Sequence, residues 1–227
     1  MDSKLMISWT ASLSQAGLLL TGAQTCSRII RNGSTGEVAL FPFLACCLSS
    51  VLWTKYGLLQ EDFPITLISC AGMISQSIYI LIYYANVNAR DKKNISVKLV
   101  LAFLTVTSIL SYIKYYVEDV ETASMHLGFV CSGFSVAVYG SPLVSLATVI
   151  RKKSTECLTF SLCIANFIVS LQWLMYGQIV QDNFIKIPNG VGVLLSTIQI
   201  SLFICYPSKP QKTITYTPGT KPSKLEI

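Results

Sequence analysis

Seven stretches of mostly apolar residues, separated by short polar connections, set the pattern of this chain. The first runs from Leu5 to Ser27 without a charge, the second from about Val38 to Leu59, entered at Pro42, and the third from Pro64 to Val87. After the polar connection RDKKNISVK come a fourth from about Val97 to Val117, a fifth from about Thr122 to Ile150, a sixth from Cys157 to Ile179 and a seventh from Ile185 to Tyr206. Each is close to the roughly 20 residues with which a helix crosses a hydrocarbon layer about 30 Å thick. The pattern predicts an all-α integral membrane protein with seven transmembrane helices. Residues 207–227, rich in Lys, Pro and Thr, are expected to form a disordered tail.

The last three stretches repeat the first three. WTKYGLLQEDFPITLISCAG, beginning at Trp53, aligns without a gap on WLMYGQIVQDNFIKIPNGVG, beginning at Trp173. Trp53 thereby matches Trp173, Tyr56 matches Tyr176, Gly57 matches Gly177, Asp62 matches Asp182 and Gly72 matches Gly192. At the same offset of 120 positions Arg31, Ser34 and Thr35 fall on Arg151, Ser154 and Thr155. The chain is a duplication, with repeats at 5–87 and 122–206 and a linker helix at 97–117. A three-helix unit repeated directly would come out inverted. The single linker helix restores its direction, so the halves run parallel about an axis along the membrane normal, an arrangement in which transporters bind substrate at the repeat interface.

Composition agrees with a bilayer: 52% of residues are hydrophobic and 12% charged, too few polar residues to coat a soluble domain of this size. The charges also orient the helices. Arg28 and Arg31, then Arg90, Lys92, Lys93 and Lys98, then Arg151, Lys152 and Lys153, and finally the lysines of the tail occupy alternate connections. Glu61, Asp62, Glu118, Asp119, Glu121 and Asp182 lie on the opposite ones. The excess of Lys and Arg on cytosolic loops puts the N-terminus outside and the tail inside. The sequons at Asn32 and Asn94 then face the cytosol and are expected to be unmodified. Orientation accounts for the net charge of +6, and no basic helix or aromatic-studded strand suggests nucleic acid. The eight cysteines show no CxxC spacing and read as small buried hydrophobes, and His126 reads as an interfacial residue.

Candidate chemistry lies at mid-depth. Trp173 and Asn189 each stand eight residues from Gln181, the centre of a polar tip, so helices on both sides carry them roughly 12 Å deep. A polar group there is costly unless something pairs with it. An indole offers a flat apolar face and a carboxamide both donates and accepts, which suits a sugar with one C–H face and a rim of hydroxyls. Asn166, Ser170, Trp173 and Gly177 also recur at helical spacing. Duplication and matching depth favour a binding role for Trp173, whereas Asn166 reads as an interhelical hydrogen bond. No ionisable group sits at mid-depth, which predicts transport without a coupling ion. No carboxylate pair, nucleophile with His or phosphate loop points to an enzyme, and no cofactor is implied. The alternatives are a seven-helix receptor and a membrane scaffold or trafficking protein, neither of which would move solute.

With SPL at Ser141 to Leu143, the loop RKKST, the WxxYG sequences at Trp53 and Trp173, and IPNGVG at Ile187 to Gly192, the chain resembles the animal-type members of the SWEET (MtN3/saliva) sugar transporter family up to Tyr206. The resemblance implies a three-plus-one-plus-three helix fold, bidirectional movement of glucose or a related monosaccharide down its gradient, homo-oligomers among membrane lipid, and residence in the plasma membrane or Golgi. Carried over residue by residue, the family's pocket maps to Trp173 and Asn189, with Trp53 as the repeat mate of Trp173. Ser69 stands where the family usually has Asn. Of its four hinge prolines Pro42 and Pro142 match, while Gly22 stands at the first-helix position and residues 159–161 hold none. Glycine can still supply flexibility there. Tyr56, Tyr176 and Asp182 match positions that resemble the family's external gate.

Overall fold

The structure, a computed structural model, describes residues 3–206, and the tail at 207–227 lies outside them. The described chain is α1 (Ser3–Asn32), α2 (Phe41–Leu59), α3 (Phe63–Asn86), α4 (Ala89–Tyr116), α5 (Val120–Val138), α6 (Gly140–Lys152), α7 (Phe160–Ile179) and α8 (Asn183–Cys205). Helices α5 and α6 are two pieces of one span, divided at Tyr139. Pro142 is the physical reason: it has no N–H for the carbonyl of Val138, and its ring crowds that carbonyl. Helix α4 begins at Ala89, so RDKKNISVK is helical rather than a connection. Apolarity marks where a helix enters lipid and does not mark where it begins.

The two tips, between α2 and α3 and between α7 and α8, are built alike. Asp62 N donates to Gly57 O at 2.8 Å and Asp182 N to Gly177 O at 2.9 Å. Glu61 and Gln181 are left-handed, at φ 52 and 57. A side chain in that conformation costs roughly 1–2 kcal/mol relative to the right-handed one. Gln181→Gly is therefore expected to stabilise the fold by about 1 kcal/mol. An unchanged or lowered thermal midpoint in detergent would count against that account of the tip.

Six spans pack as a closed ring in the order α1, α3, α2, α5, α8, α7 and back to α1. Within each repeat the third span sits between the other two. The repeats meet where α2 touches α5 and where α1 touches α7, and these two contacts are related by the duplication. Helix α4 stands outside the ring against α2 and α5, and α6 continues α5 along α8. Among the described residues six spans are long and apolar enough to cross a membrane: α2, α3, α4, α5 with α6, α7 and α8. Helix α1 has 30 residues, about 45 Å of length, but carries Ser8, Ser12 and Gln15 one turn apart. Ser8 and Ser12 are buried, so its polar stripe turns away from lipid.

Candidate functional site

The ring encloses a cavity of about 290 Å³. Its lining repeats with the sequence: Ser50 and Ser170, Trp53 and Trp173, Ile65 and Ile185, Ser69 and Asn189, Gln15 and Ser135, and Leu19 and Tyr139 are repeat mates that all face it. All four residues expected to form the pocket, Trp53, Ser69, Trp173 and Asn189, are thus brought together. Gln15, Ser50, Ser135 and Tyr139 were missed, although their common offset was there to be read. Asn166 also faces the cavity, where a purely interhelical role had been favoured. Glycine lets the walls close up. A Cβ on Gly72 would lie 2.7 Å from Ser50 Oγ, and one on Gly192 would collide with Ser170 Oγ and Tyr139 Oη.

The two halves differ in their hydrogen bonding. Trp53 Nε1 donates to Ser135 Oγ at 3.1 Å, across the α2–α5 contact. Trp173 Nε1 has no such partner among the described residues, so its N–H is left for whatever occupies the cavity. Asn189 Nδ2 donates to Ile185 O at 2.8 Å, which leaves Oδ1 as an acceptor. That bond lies beside Pro188, inside α8, where the helix ladder is already interrupted. One half of the cavity therefore offers a free donor and a free acceptor beside an indole, while the other offers an indole, hydroxyls and the carboxamide of Gln15.

At the tip end the ring is closed by two reciprocal bonds between repeats. Tyr56 Oη donates to Asp182 Oδ2 at 2.7 Å, and Tyr176 Oη donates to Asp62 Oδ2 at 2.5 Å. Both tyrosines are fully buried. Each carboxylate also caps its own helix: Asp62 Oδ1 accepts from Ile65 N at 3.1 Å, and Asp182 Oδ1 from Phe184 N at 2.8 Å. Each tyrosine stands edge-on to a cavity indole, Trp53 to Tyr56 at 5.4 Å and Trp173 to Tyr176 at 5.6 Å between ring centroids. Asp62 was absent from the expected gate of Tyr56, Tyr176 and Asp182. Its place as the mate of Asp182 was the signal.

A family profile described as sugar efflux transporter for intercellular exchange matches the chain twice, over residues 5–91 and 125–211. A sugar transporter SWEET1 from Drosophila pseudoobscura pseudoobscura is 37% identical over 205 residues, 90% of each chain. The chain belongs to the SWEET family. A SWEET1 from Mus musculus is 33% identical over 198 residues, covering 86% of this chain and 88% of that one. A rice relative, bidirectional sugar transporter SWEET7b of Oryza sativa subsp. indica, is 28% identical and covers 97% of this chain and 86% of its own. The fold matches a eukaryotic SWEET transporter solved at 3.7 Å, with TM-score 0.84 and 24% identity over 90% of this chain and 96% of that one. This SWEET is thus an integral, multi-pass, all-α membrane protein of three-plus-one-plus-three architecture, and its relatives are named as transporters rather than enzymes.

The three positions expected to act as hinges, Gly22, Pro42 and Pro142, lie outside the cavity lining. Pro42 opens α2 in its first turn, where a missing N–H costs nothing. Pro142 follows the α5–α6 break, and Gly22 lies within the unbroken α1 against the ring of Tyr79.

Proposed function

We propose that this SWEET is a facilitator that carries glucose or a related monosaccharide down its gradient in either direction by alternating access. The observation that carries the reading is a small cavity between the repeats, lined by the indoles of Trp53 and Trp173, with the free N–H of Trp173 and the free acceptor of Asn189 on one side. A cavity of about 290 Å³ is at the small end of ligand sites, suited to one compact solute. The tip end is the outer gate in this reading, held by Tyr56, Asp182, Tyr176 and Asp62. Orientation with the N-terminus outside, residence in the plasma membrane or Golgi, contact with lipid and assembly into homo-oligomers belong to the same proposal.

Binding is weak on this reading, since a Kd near 1 mM corresponds to about 4 kcal/mol and lets the sugar leave. The test is uptake of labelled glucose into proteoliposomes with no ion gradient, together with exchange against unlabelled glucose inside. Uptake and exchange that no pH or sodium gradient accelerates are the expected result. No movement of glucose or of any other mono- or disaccharide would favour a scaffold or receptor instead. Ser69 is expected to set selectivity. Ser69→Asn adds a carboxamide at the repeat mate of Asn189 and should lower the half-saturation for glucose by up to about tenfold, the value of one neutral hydrogen bond. An unchanged half-saturation would remove Ser69 from the site.

A further inference from the structure

The two repeats are built differently at the end opposite the tips, and the difference starts at Gly22. A Cβ there would lie 2.5 Å and 2.7 Å from Cε2 and Cδ2 of Tyr79, so the ring occupies the space that a side chain would take. Tyr79 is 8% exposed, and its hydroxyl donates to the carbonyl of Leu19 at 3.1 Å, one turn above Gly22. Leu19 itself lines the cavity. One turn further along α3, Tyr83 donates to Val38 O at 3.0 Å and holds the connection between α1 and α2. Phe43 meets both rings, at 6.1 Å and 6.4 Å between centroids, in a cluster that includes Cys26 and Ile29 of α1. Helix α1 runs unbroken through this region.

Among the described residues the second repeat lacks these particular contacts, although Phe203, the mate of Tyr83, stands edge-on to Phe160 of α7 at 5.1 Å between centroids. Pro142 stands in place of Gly22, and Tyr139, where α5 ends, stands in place of Leu19. Gln199 and Phe203 stand in place of Tyr79 and Tyr83, and among the described residues Gln199 makes no hydrogen bond to α5 or α6. The 13-residue α6 packs on α8 mainly through Leu146 and Val149 against Leu195 and Leu202, with Tyr139 and Tyr206 at the edges of that cluster. The loop after α6 is tied to the end of α8 by Thr155, whose hydroxyl donates to Tyr206 O at 3.0 Å, while Cys157 Sγ lies 3.9 Å from Ser145 O of α6. The joint of the arm, Tyr139, is a wall of the cavity.

We propose that the inner gate of this SWEET is one-sided: α6 swings about the joint at Tyr139 and Gly140 while Tyr79 staples α1 to α3 as a fixed wall. Tyr79 is then a positioning residue, acting on the cavity through the carbonyl of Leu19. The inference rests on the alternating-access reading for its purpose, but its geometry is testable separately.

The test compares two matched pairs of spin labels, introduced as unnatural amino acids so that the other seven cysteines stay untouched. One pair is at Arg31 and Ala85, the ends of α1 and α3, and the other at their repeat mates Arg151 and Cys205, all four exposed. Pulsed-resonance distances are recorded in proteoliposomes with and without glucose. The Arg31/Ala85 distribution should be narrow and indifferent to sugar, and the Arg151/Cys205 distribution broad or two-peaked and shifted by it. Tyr79→Phe, which keeps the ring and loses the hydroxyl, should broaden the first distribution towards the second. Two native distributions of equal width, or a Tyr79→Phe chain as narrow at Arg31/Ala85 as the native one, would overturn the inference. Uptake is measured on the same vesicles. An arm that moves alone in a chain that carries no sugar would therefore sink the transport reading and leave the one-sided gate standing.

Discussion

Trp173→Ala is expected to lower glucose flux roughly a hundredfold at sugar concentrations below half-saturation, where flux follows the free-energy difference between empty carrier and barrier. Three losses combine. The sugar loses the aromatic face, worth about 0.5–1.5 kcal/mol, and the free indole N–H, worth about as much again. Tyr176 also loses the indole it stands against at 5.6 Å, which loosens its bond to Asp62. The parts can be separated. Trp173→Phe keeps a face and loses only the donor, so its flux should fall by about tenfold or less. Asn189→Ala removes the free acceptor and uncovers the carbonyl of Ile185, which predicts a loss of about 1–3 kcal/mol, between the two tryptophan variants. Purified variants should keep the native elution volume and thermal midpoint within a few degrees. Equal flux in all of them would place the sugar elsewhere.

The positions of the cavity were legible because a duplicated sequence folds twice into the same unit. Once Trp53 was set on Trp173 and Ser69 on Asn189, counting from the tips fixed their common depth, and these four residues meet in the ring. Gln15 and Ser135 share the same offset of 120, but the residue types have diverged there, and a lone Gln in a polar-striped helix reads as packing. The partners at the tip end were out of reach for a different reason. Whether Tyr56 bonds Asp62 of its own repeat or Asp182 of the other depends on the ring order, and the ring order is a property of packing between helices. Pro142 lies inside an apolar stretch that reads as one helix, and the break at Tyr139 comes from the missing N–H of that proline rather than from any change in apolarity. The hold of Tyr79 on Gly22 depends on a ring filling one missing side chain, which no periodicity reports.

The largest conformational effect is expected from Asp62→Asn combined with Asp182→Asn. Asparagine keeps the shape and caps a helix about as well as aspartate, so the helix starts should survive. What changes is the bond from each tyrosine. A hydrogen bond to a charged acceptor contributes about 1.5–3 kcal/mol and a neutral one about 0.5–1.5, so each substitution weakens the closed tip by roughly 1–2 kcal/mol. Because the latch is two-fold, either substitution alone leaves one charged bond, Tyr56 to Asp182 or Tyr176 to Asp62, to hold the repeats together. Together they remove about 2–4 kcal/mol, enough to shift the ratio of closed to open tips by some thirtyfold to a thousandfold. Labels at Leu58 and Gln178, exposed repeat mates on the two sides of the tip, should therefore report a longer distance in the double variant and little change in either single one. Flux should fall as well, because a carrier that rests open to one side completes fewer cycles. A double variant with the native distance would mean that packing of the buried rings, rather than the carboxylates, keeps the tip closed. A bond within one repeat would stiffen that repeat, whereas Tyr56 and Tyr176 each reach into the other one, so their bonds can be made and broken only as the two halves move against each other.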